Sequence, residues 1–140
     1  MSPAPTELRL ATTDLDREQA MDLRRSVLCG ELNWDRAAVA DGQDANAELL
    51  LGFDGPKPVA TARLLQRESR WLLELCAVLP QRRRQGWGRA MADALAQKAR
   101  EQGATQLHAL APRASAPFFL SCGFCVDHED SEVLFLARTL

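Results

Sequence analysis

The sequence predicts a single mixed α/β domain. Short apolar runs of strand-like composition alternate with segments in which apolar residues recur at helical spacing. The 140 residues are 46% hydrophobic and 26% charged, which is typical of one globular domain that buries its own core. No repeat, linker or low-complexity stretch divides the chain. We therefore expect residues 1–140 to form one α/β domain (mixed α+β), with a central mixed sheet of about six to seven strands flanked by about four helices.

The N-terminal part predicts a strand followed by a helix. Leu8 and Leu10 indicate the strand, and Thr13 or Asp14 is a suitable N-cap for a helix that runs to about Leu28. The residues of this helix that we expect to face the core are Leu15, Met21, Leu23 and Val27.

The middle of the chain predicts a short helix and three strands. The helix covers residues 33–39. Apolar runs at residues 49–53 and 59–65, separated by the turn-forming residues 54–58, predict a strand, a turn and a second strand. The apolar run at residues 71–78 predicts the next strand.

A long amphipathic helix is predicted over residues 86–102. Residues 106–110 then predict a strand and residues 115–122 a short helix, and the tail supplies one or two more strands at 124–128 and 133–137. The apolar stripe of the long helix is expected to comprise Trp87, Ala90, Met91, Ala94, Leu95 and the aliphatic part of Lys98.

Four arginines lie between residues 82 and 89, at the predicted start of the long helix. Positive charge opposes the helix dipole at this end, so each arginine should cost about 0.3 kcal/mol or more unless an anion lies among them. No acidic residue occurs in residues 75–91, and Gly86 and Gly88 allow a ligand to approach the backbone N–H groups. The pattern predicts a phosphate or pyrophosphate site. The alternative is a solvated basic loop in which the glycines only form a turn.

Two other phosphate-binding signatures do not fit this loop. No Lys-Ser or Lys-Thr pair follows the glycines, as a phosphate-binding P-loop requires. Met91 stands where a dinucleotide-binding motif needs its third glycine.

The segment Arg83-Arg84-Gln85-Gly86-Trp87-Gly88 resembles the Arg/Gln-x-x-Gly-x-Gly/Ala motif of the GNAT superfamily of N-acetyltransferases. Val78-x-Pro80 precedes it at the usual spacing, and residues 118–124 resemble the closing segment of that family, a helix that ends in Gly-Phe. The resemblance extends from about Leu8 to Leu136. It implies the GNAT acyl-CoA N-acyltransferase fold and acetyl-CoA as co-substrate.

The resemblance also implies which residues contact the cofactor. The fourth strand would splay from the fifth and bind the pantetheine arm through its backbone, and an N–H near Val78 would stabilise the oxyanion. The expected contacts to pantetheine and its thiol end are Cys76, Ala77, Val78 and Phe119. The expected contacts to the pyrophosphate are Arg84, Gln85, Gly86, Trp87, Gly88 and Arg89, and Arg83 is also expected to bind the cofactor.

Glu74 is the candidate general base, because it is the one acidic residue in the apolar run of the fourth strand. Burial would raise the pKa of this carboxyl and suit it to accept a proton through water. The alternative is a solvent-facing residue of a half-buried strand.

The general acid is where this chain departs from the family. The family commonly has Tyr at the position of Phe119 and often Asn at the position of Pro112, whereas this chain contains no tyrosine. Ser115 and Cys122 are spaced to share the helical face of Phe119, so either side chain, or water, is a candidate proton donor.

Composition argues against several other classes of protein. The net charge of −2 does not suit a nucleic-acid-binding surface. No apolar run has the length of a membrane span, and residues 1–5 lack the features of a signal peptide, so a cytoplasmic protein is expected. Cys122 and Cys125 form a Cys-x-x-Cys pair followed by His128, which we interpret as residues around a helix end and not as a redox or metal site. No metal is expected.

The leading hypothesis is an N-acetyltransferase that moves the acetyl group of acetyl-CoA directly to a primary amine of a small molecule or peptide. The alternatives are an acyl-CoA-binding protein with weak or no transfer, and an interaction protein that uses the arginine loop. The acidic residues of segment 31–48 suit either a roof over a cationic amine or an ordinary solvated loop, and Arg63 is a candidate ligand for a substrate carboxylate. The formation of a homodimer is left open.

Overall fold

The computed structural model describes residues 7–140, which form a seven-stranded sheet in the order β1-β2-β3-β4-β5-β7-β6. Neighbouring strands are antiparallel except for β4 and β5, which are parallel, so the predicted mixed sheet is confirmed. The expectation about a signal peptide concerns residues that lie outside the described part. The strands are β1 (Glu7–Leu10), β2 (Ala47–Asp54), β3 (Lys57–Arg67), β4 (Arg70–Val78), β5 (Gln106–Pro112), β6 (Cys125–Glu129) and β7 (Val133–Thr139).

Four α-helices accompany the sheet in the described residues, as predicted. The helices cover both faces of the sheet. Alternate residues of a strand point to opposite sides, so the apolar strands present side chains on both faces that need to be buried. On β2, Leu51 packs with the first helix, whereas Leu50 belongs to the core formed with the third. None of the helices in residues 7–140 is long and apolar enough to cross a membrane. The helices are α1 (Asp14–Arg24), α2 (Arg36–Val39), α3 (Trp87–Glu101) and α4 (Ala116–Ser121).

Helix α1 begins at a capping box. The Thr13 hydroxyl accepts a hydrogen bond from the backbone N–H of Asp16, and the Asp16 carboxylate accepts one from the backbone N–H of Thr13. Leu15 is 62% exposed, so its predicted place in the core is wrong. Leu23 is buried as predicted, and the inward stripe also includes Ala20 and Asp16, whose buried carboxylate accepts hydrogen bonds from backbone N–H groups.

The end of α1 widens into a π-helical segment, Arg25–Glu31. The chain then turns back, with the N–H of Leu32 bonded to the Val27 carbonyl and the N–H of Trp34 bonded to the Leu28 carbonyl. The wider turn brings these four apolar side chains to one side of the segment, beside the end of β4. Such π-helical turns are frequent at functional sites.

Strand β4 leaves β5 soon after they meet. The two strands share one registered pair, Leu72 with His108. Further along β4, the register of its pairing with β3 shifts, and Leu75 at this point has a φ of 51°. Together these features define a β-bulge in β4. The bulge bends β4 away, so a gap opens between the two central strands.

Helix α3 closes the core beneath this gap. Its buried stripe includes Trp87, Met91 and Leu95 as predicted, but it extends toward Ala92, Ala96 and Ala99 while Ala90 and Ala94 are only partly buried. The Trp87 ring lies so close to β2 that a Cβ on Gly52 would be 2.9 Å from it. This contact fixes the start of α3 against the sheet.

Candidate functional site

A cavity of about 440 Å³ lies where β4 has separated from β5. Its walls come from the π-helical segment, the end of β4, the start of α3, and the connection from β5 into α4. The predicted site residues that line it are Cys76, Val78, Arg83, Arg84, Gly86, Trp87, Gly88, Arg89, Ser115 and Phe119. Those that do not are Glu74, Ala77, Gln85 and Cys122.

Two arginines of the loop, Arg82 and Arg83, have acidic partners that are distant in the sequence. Arg83 makes a two-pronged contact with Glu31, at 2.6 and 2.7 Å, and its Nε donates to the Val78 carbonyl. Arg82 pairs with Asp54 at 2.8 Å. The absence of acids between residues 75 and 91 therefore does not leave the arginines of the loop unpaired, which corrects that premise of the anion-site prediction.

Arg89 extends the same pattern on α3. It pairs with Asp93 at 3.1 Å and donates to the Ser121 carbonyl at 2.6 Å, so it ties α3 to α4. In the ion pair of Glu31, the hydrogen bond from Arg83 lowers the pKa of the carboxyl. Both pairs hold positive guanidinium groups at the cavity rim in defined positions.

The start of α3 presents backbone N–H groups at the cavity. Gly86 is the N-cap, with a φ of 88°, and no side chain caps the helix. The first intrahelical bond joins the Ala90 N–H to the Gly86 carbonyl, so helix geometry leaves the N–H groups of residues 87–89 without intrahelical partners. Their positive dipole end suits an anion.

Gly88 has a second reason to be glycine. A Cβ at this position would lie 2.3 Å from Cε1 of Phe118, a residue of α4. The sequence predicts that Gly88 exposes backbone to a ligand, and in the structure its lack of a side chain also admits an aromatic ring. Gln85 lies away from the cavity wall, and its amide donates to the Gln81 carbonyl at 3.5 Å.

The end of β4 contributes Cys76 and Val78 to the cavity wall, while Ala77 between them is buried on the opposite side. Burial raises the pKa of the Cys76 thiol to about 12. The thiol is therefore neutral at pH 7, which does not suit a nucleophile. Beyond Val78, the Leu79 N–H is bonded to the Val59 carbonyl and is not available to a ligand.

Glu74 is not isolated among apolar residues. Its Oε1 accepts a hydrogen bond from Nη2 of Arg63 at 2.9 Å, and Arg63 is also bound by Asp41 and Asp44. The side chain of Glu74 is 24% exposed and ion-paired, so the structure shows neither the expected apolar burial nor a freely solvated residue. Its role as a base stays a prediction.

Arg63 is also placed differently from its prediction. The residue is 1% exposed and is surrounded by three carboxylates of the protein, so it does not reach into the cavity for a substrate carboxylate. Asp44 additionally pairs with the buried Arg24 at 2.8 Å. Much of the acidic charge of segment 31–48 is thus turned toward arginines, and the predicted acidic roof is not formed by these residues.

The proton donors predicted near Phe119 are separated by the structure. Ser115 is partly buried and lines the cavity. Cys122 is 0% exposed, and burial raises the pKa of its thiol. Cys122 belongs to the same core cluster as Phe119 but, unlike Phe119, does not line the cavity, and its role as a proton donor stays a prediction.

The apolar end of the cavity was missed by sequence reasoning. It is lined by Val27, Leu28, Leu32, Trp34 and Leu75. The sequence predicts only a core position for Val27, because a period of 3.6 residues does not describe a π-helical segment. The signal available in the sequence was Trp34, a large aromatic residue in a polar stretch.

Comparisons with known proteins agree with this architecture. The family model described as the acetyltransferase (GNAT) family matches residues 11–124. Among curated proteins, no sequence match is found.

Solved structures match nearly the whole chain. An acyl-CoA N-acyltransferase from Pseudomonas aeruginosa is 20% identical, with a TM-score of 0.78 over 95% of this chain and 99% of that one. A Bacillus subtilis acetyltransferase in complex with CoA is 15% identical, with a TM-score of 0.75 over 96% and 98%. The PaiA N-acetyltransferase from Thermoplasma acidophilum, in complex with coenzyme A, is 11% identical, with a TM-score of 0.77 over 96% and 100%. The fold is that of the GNAT acyltransferases, and since the family model spans most of the sequence, the chain belongs to the acetyltransferase (GNAT) family.

Proposed function

We propose that this protein is an acetyl-CoA-dependent N-acetyltransferase that moves an acetyl group directly to a primary amine of a small molecule or peptide. The observation that carries the proposal is one cavity that joins the uncapped start of α3 to the bulged end of β4. An anion binds well at the first feature, and an extended chain with amide groups binds well along the second. Coenzyme A contains both parts.

The pyrophosphate would lie at the start of α3, against residues 84–89. The N–H groups of residues 87–89 donate there, and the guanidinium groups of Arg84 and Arg89 add positive charge at the rim. The pantetheine arm would follow β4 past Cys76 and Val78, which places the thioester near the bulge. Phe119, 7% exposed and in edge contact with Phe118 and Phe124, would form an apolar wall beside the thiol end.

Transfer needs few groups from the protein once the thioester and the amine are held together. The amine nitrogen forms a bond to the thioester carbonyl carbon, the C–S bond breaks, and its electron pair leaves on sulfur. A thiol has a pKa of about 8.5, so a thiolate is an acceptable leaving group near neutral pH. The Ser115 hydroxyl is the side chain of the cavity wall that we assign as the proton donor, with water as the alternative.

The binding step is tested by titrating acetyl-CoA into the protein in a calorimeter. We expect micromolar binding by the unmodified protein and a loss of at least tenfold in Arg84→Glu, because the reversed charge repels the diphosphate. Arg67→Glu is the matched control, since it makes the same charge change at the far end of β3. Absence of binding by the unmodified protein would refute the proposal.

A second candidate function is acyl-CoA binding with weak or no transfer. It is favoured by one observation, the absence of a tyrosine hydroxyl at position 119. The two functions differ in acceptor-dependent release of the CoA thiol, which only a transferase produces.

A further inference from the structure

The apolar end of the cavity restricts what the acceptor amine can be. Val27, Leu28, Leu32 and Trp34 form its wall on the side of the π-helical segment, and Leu75 forms it on the side of β4. Among the described residues that line the cavity, none is acidic. The acceptor end thus offers apolar surface and no carboxylate to pair with a cation.

The nearby carboxylates are already engaged with arginines. Glu31 is held by Arg83, and Asp41 and Glu74 are held by Arg63. Turning Asp41 or Glu74 toward a substrate would remove one carboxylate partner from the guanidinium of Arg63, which is 1% exposed. Breaking a buried ion pair in this way is strongly unfavourable.

An alkylammonium group is poorly suited to such a cavity. An alkylamine with a pKa of about 10.4 is neutral in only about one molecule in 2,500 at pH 7. Its charged form would lose water without gaining a partner, which is costly. An amine whose conjugate acid has a pKa well below 7 avoids both penalties, and aromatic amines have this property.

We propose that the acceptor is an apolar aromatic amine that enters as the neutral base, with its ring against Trp34 and Leu32. This inference rests on the proposed acetyltransferase function and names its substrate class. The amine lone pair forms the C–N bond, and the C–S bond breaks with its electrons going to sulfur. The thiolate takes a proton from the Ser115 hydroxyl or water, and the proton lost by nitrogen replaces it. The products are an N-aryl acetamide and the CoA thiol, without a protein base.

The test compares 4-methylaniline with 4-methylcyclohexylamine, which have similar shapes and different basicity. Thiol release from acetyl-CoA is followed from pH 6 to pH 9. We expect kcat/KM at pH 7 to be at least tenfold higher for the aromatic amine and nearly constant with pH. For the alkylamine we expect a rise of about tenfold per pH unit, as its neutral fraction grows.

Two substitutions test whether the acceptor amine binds at the apolar end of the cavity. Leu32→Glu adds a carboxylate at a residue that is 50% exposed, and should move the preference at least tenfold toward the alkylamine. Leu15→Glu, at a residue 62% exposed on α1, is the matched control and should leave the preference unchanged. Trp34→Leu should raise KM for the aromatic amine, whereas Trp71→Leu, outside this cavity, should not.

The outcomes separate this inference from the function on which it rests. Equal or faster transfer to the alkylamine at pH 7, or an unchanged preference in Leu32→Glu, would overturn the aromatic acceptor and leave the transferase in place. Thiol release from neither amine, with acetyl-CoA bound, would overturn the transferase and this inference with it.

Discussion

Arg63 organises three carboxylates from different parts of the chain. Its guanidinium contacts Asp41, Asp44 and Glu74 at 2.7 to 3.1 Å, and the first of these contacts is two-pronged. Such planar pairing is specific to arginine and would be lost with lysine. Glu74 therefore has a structural role as a partner of Arg63 and a predicted chemical role as a base. A substitution of Glu74 can distinguish these two roles.

Glu74→Gln tests the predicted base. With a basic alkylamine as acceptor, we expect kcat to fall about tenfold at pH 6 and less at pH 9, where a larger fraction of the amine is already neutral in solution. An aromatic amine, neutral at both pH values, should be little affected. Asp127→Asn, on the exposed strand β6, is the control.

The pattern of the loss identifies the role of Glu74. An equal loss with both amines at both pH values would indicate that Glu74 only positions β4 through Arg63. An unchanged rate with the alkylamine would exclude it from the reaction.

At the scale of elements, α3 and α4 meet through the Gly88–Phe118 contact, which shapes the cavity between them. Arg89 reinforces the junction by donating to the Ser121 carbonyl. Since both helices carry lining residues, the fit of this junction affects stability and ligand binding together.

Gly88→Ala should destabilise the protein by about 1–3 kcal/mol, because the added methyl group overlaps the Phe118 ring. Chemical denaturation measures the change. Gly30→Ala is the control, since its Cβ would have only a 3.4 Å contact with the Arg25 carbonyl. Combining Gly88→Ala with Phe118→Leu should recover part of the loss, and equal stability of Gly88→Ala and the unmodified protein would contradict the steric argument.

Local patterns predicted the elements better than the contacts of the site. The strand order along the chain and the start of α1 at Thr13 follow from periodicity and capping, which act over a few residues. The ion pair between Glu31 and Arg83 joins residues 52 positions apart, and no local pattern contains that information. The π-helical segment escaped prediction because its spacing differs from that of an α-helix.

At the scale of the whole molecule, paired carboxylates link the stability of the fold to pH. The side-chain hydrogen bonds from Arg63 lower the pKa of Asp41 from 3.8 to about 2. Backbone N–H donors, chiefly that of Thr12, also lower the pKa of the buried Asp16. A carboxyl whose pKa is lower in the folded than in the unfolded chain stabilises the fold at pH values above the unfolded-state pKa. This stabilisation is lost as the pH falls toward the folded-state pKa.

We expect the free energy of unfolding to decrease between about pH 4 and pH 2, with Asp41 contributing on the order of 1 kcal/mol after allowance for its exposure to water. Asp41→Asn should flatten this part of the stability curve, as measured by denaturation at several pH values. Asp127→Asn should not. A curve in Asp41→Asn as steep as that of the unmodified protein would show that other carboxylates account for acid unfolding.

The separation of β4 from β5 gives the sheet an edge in its interior. Exposed edges normally invite strands of other proteins and promote aggregation, so proteins shield them. This edge is shielded by its position, because β5 stands across the gap and α3, α4 and the π-helical segment form the remaining walls. A cavity of about 440 Å³ is too small for a β-strand that belongs to the sheet of another protein, yet it admits a slender linear molecule. The protein therefore keeps unpaired backbone available for a small ligand without the risk of self-association that such backbone carries at a surface.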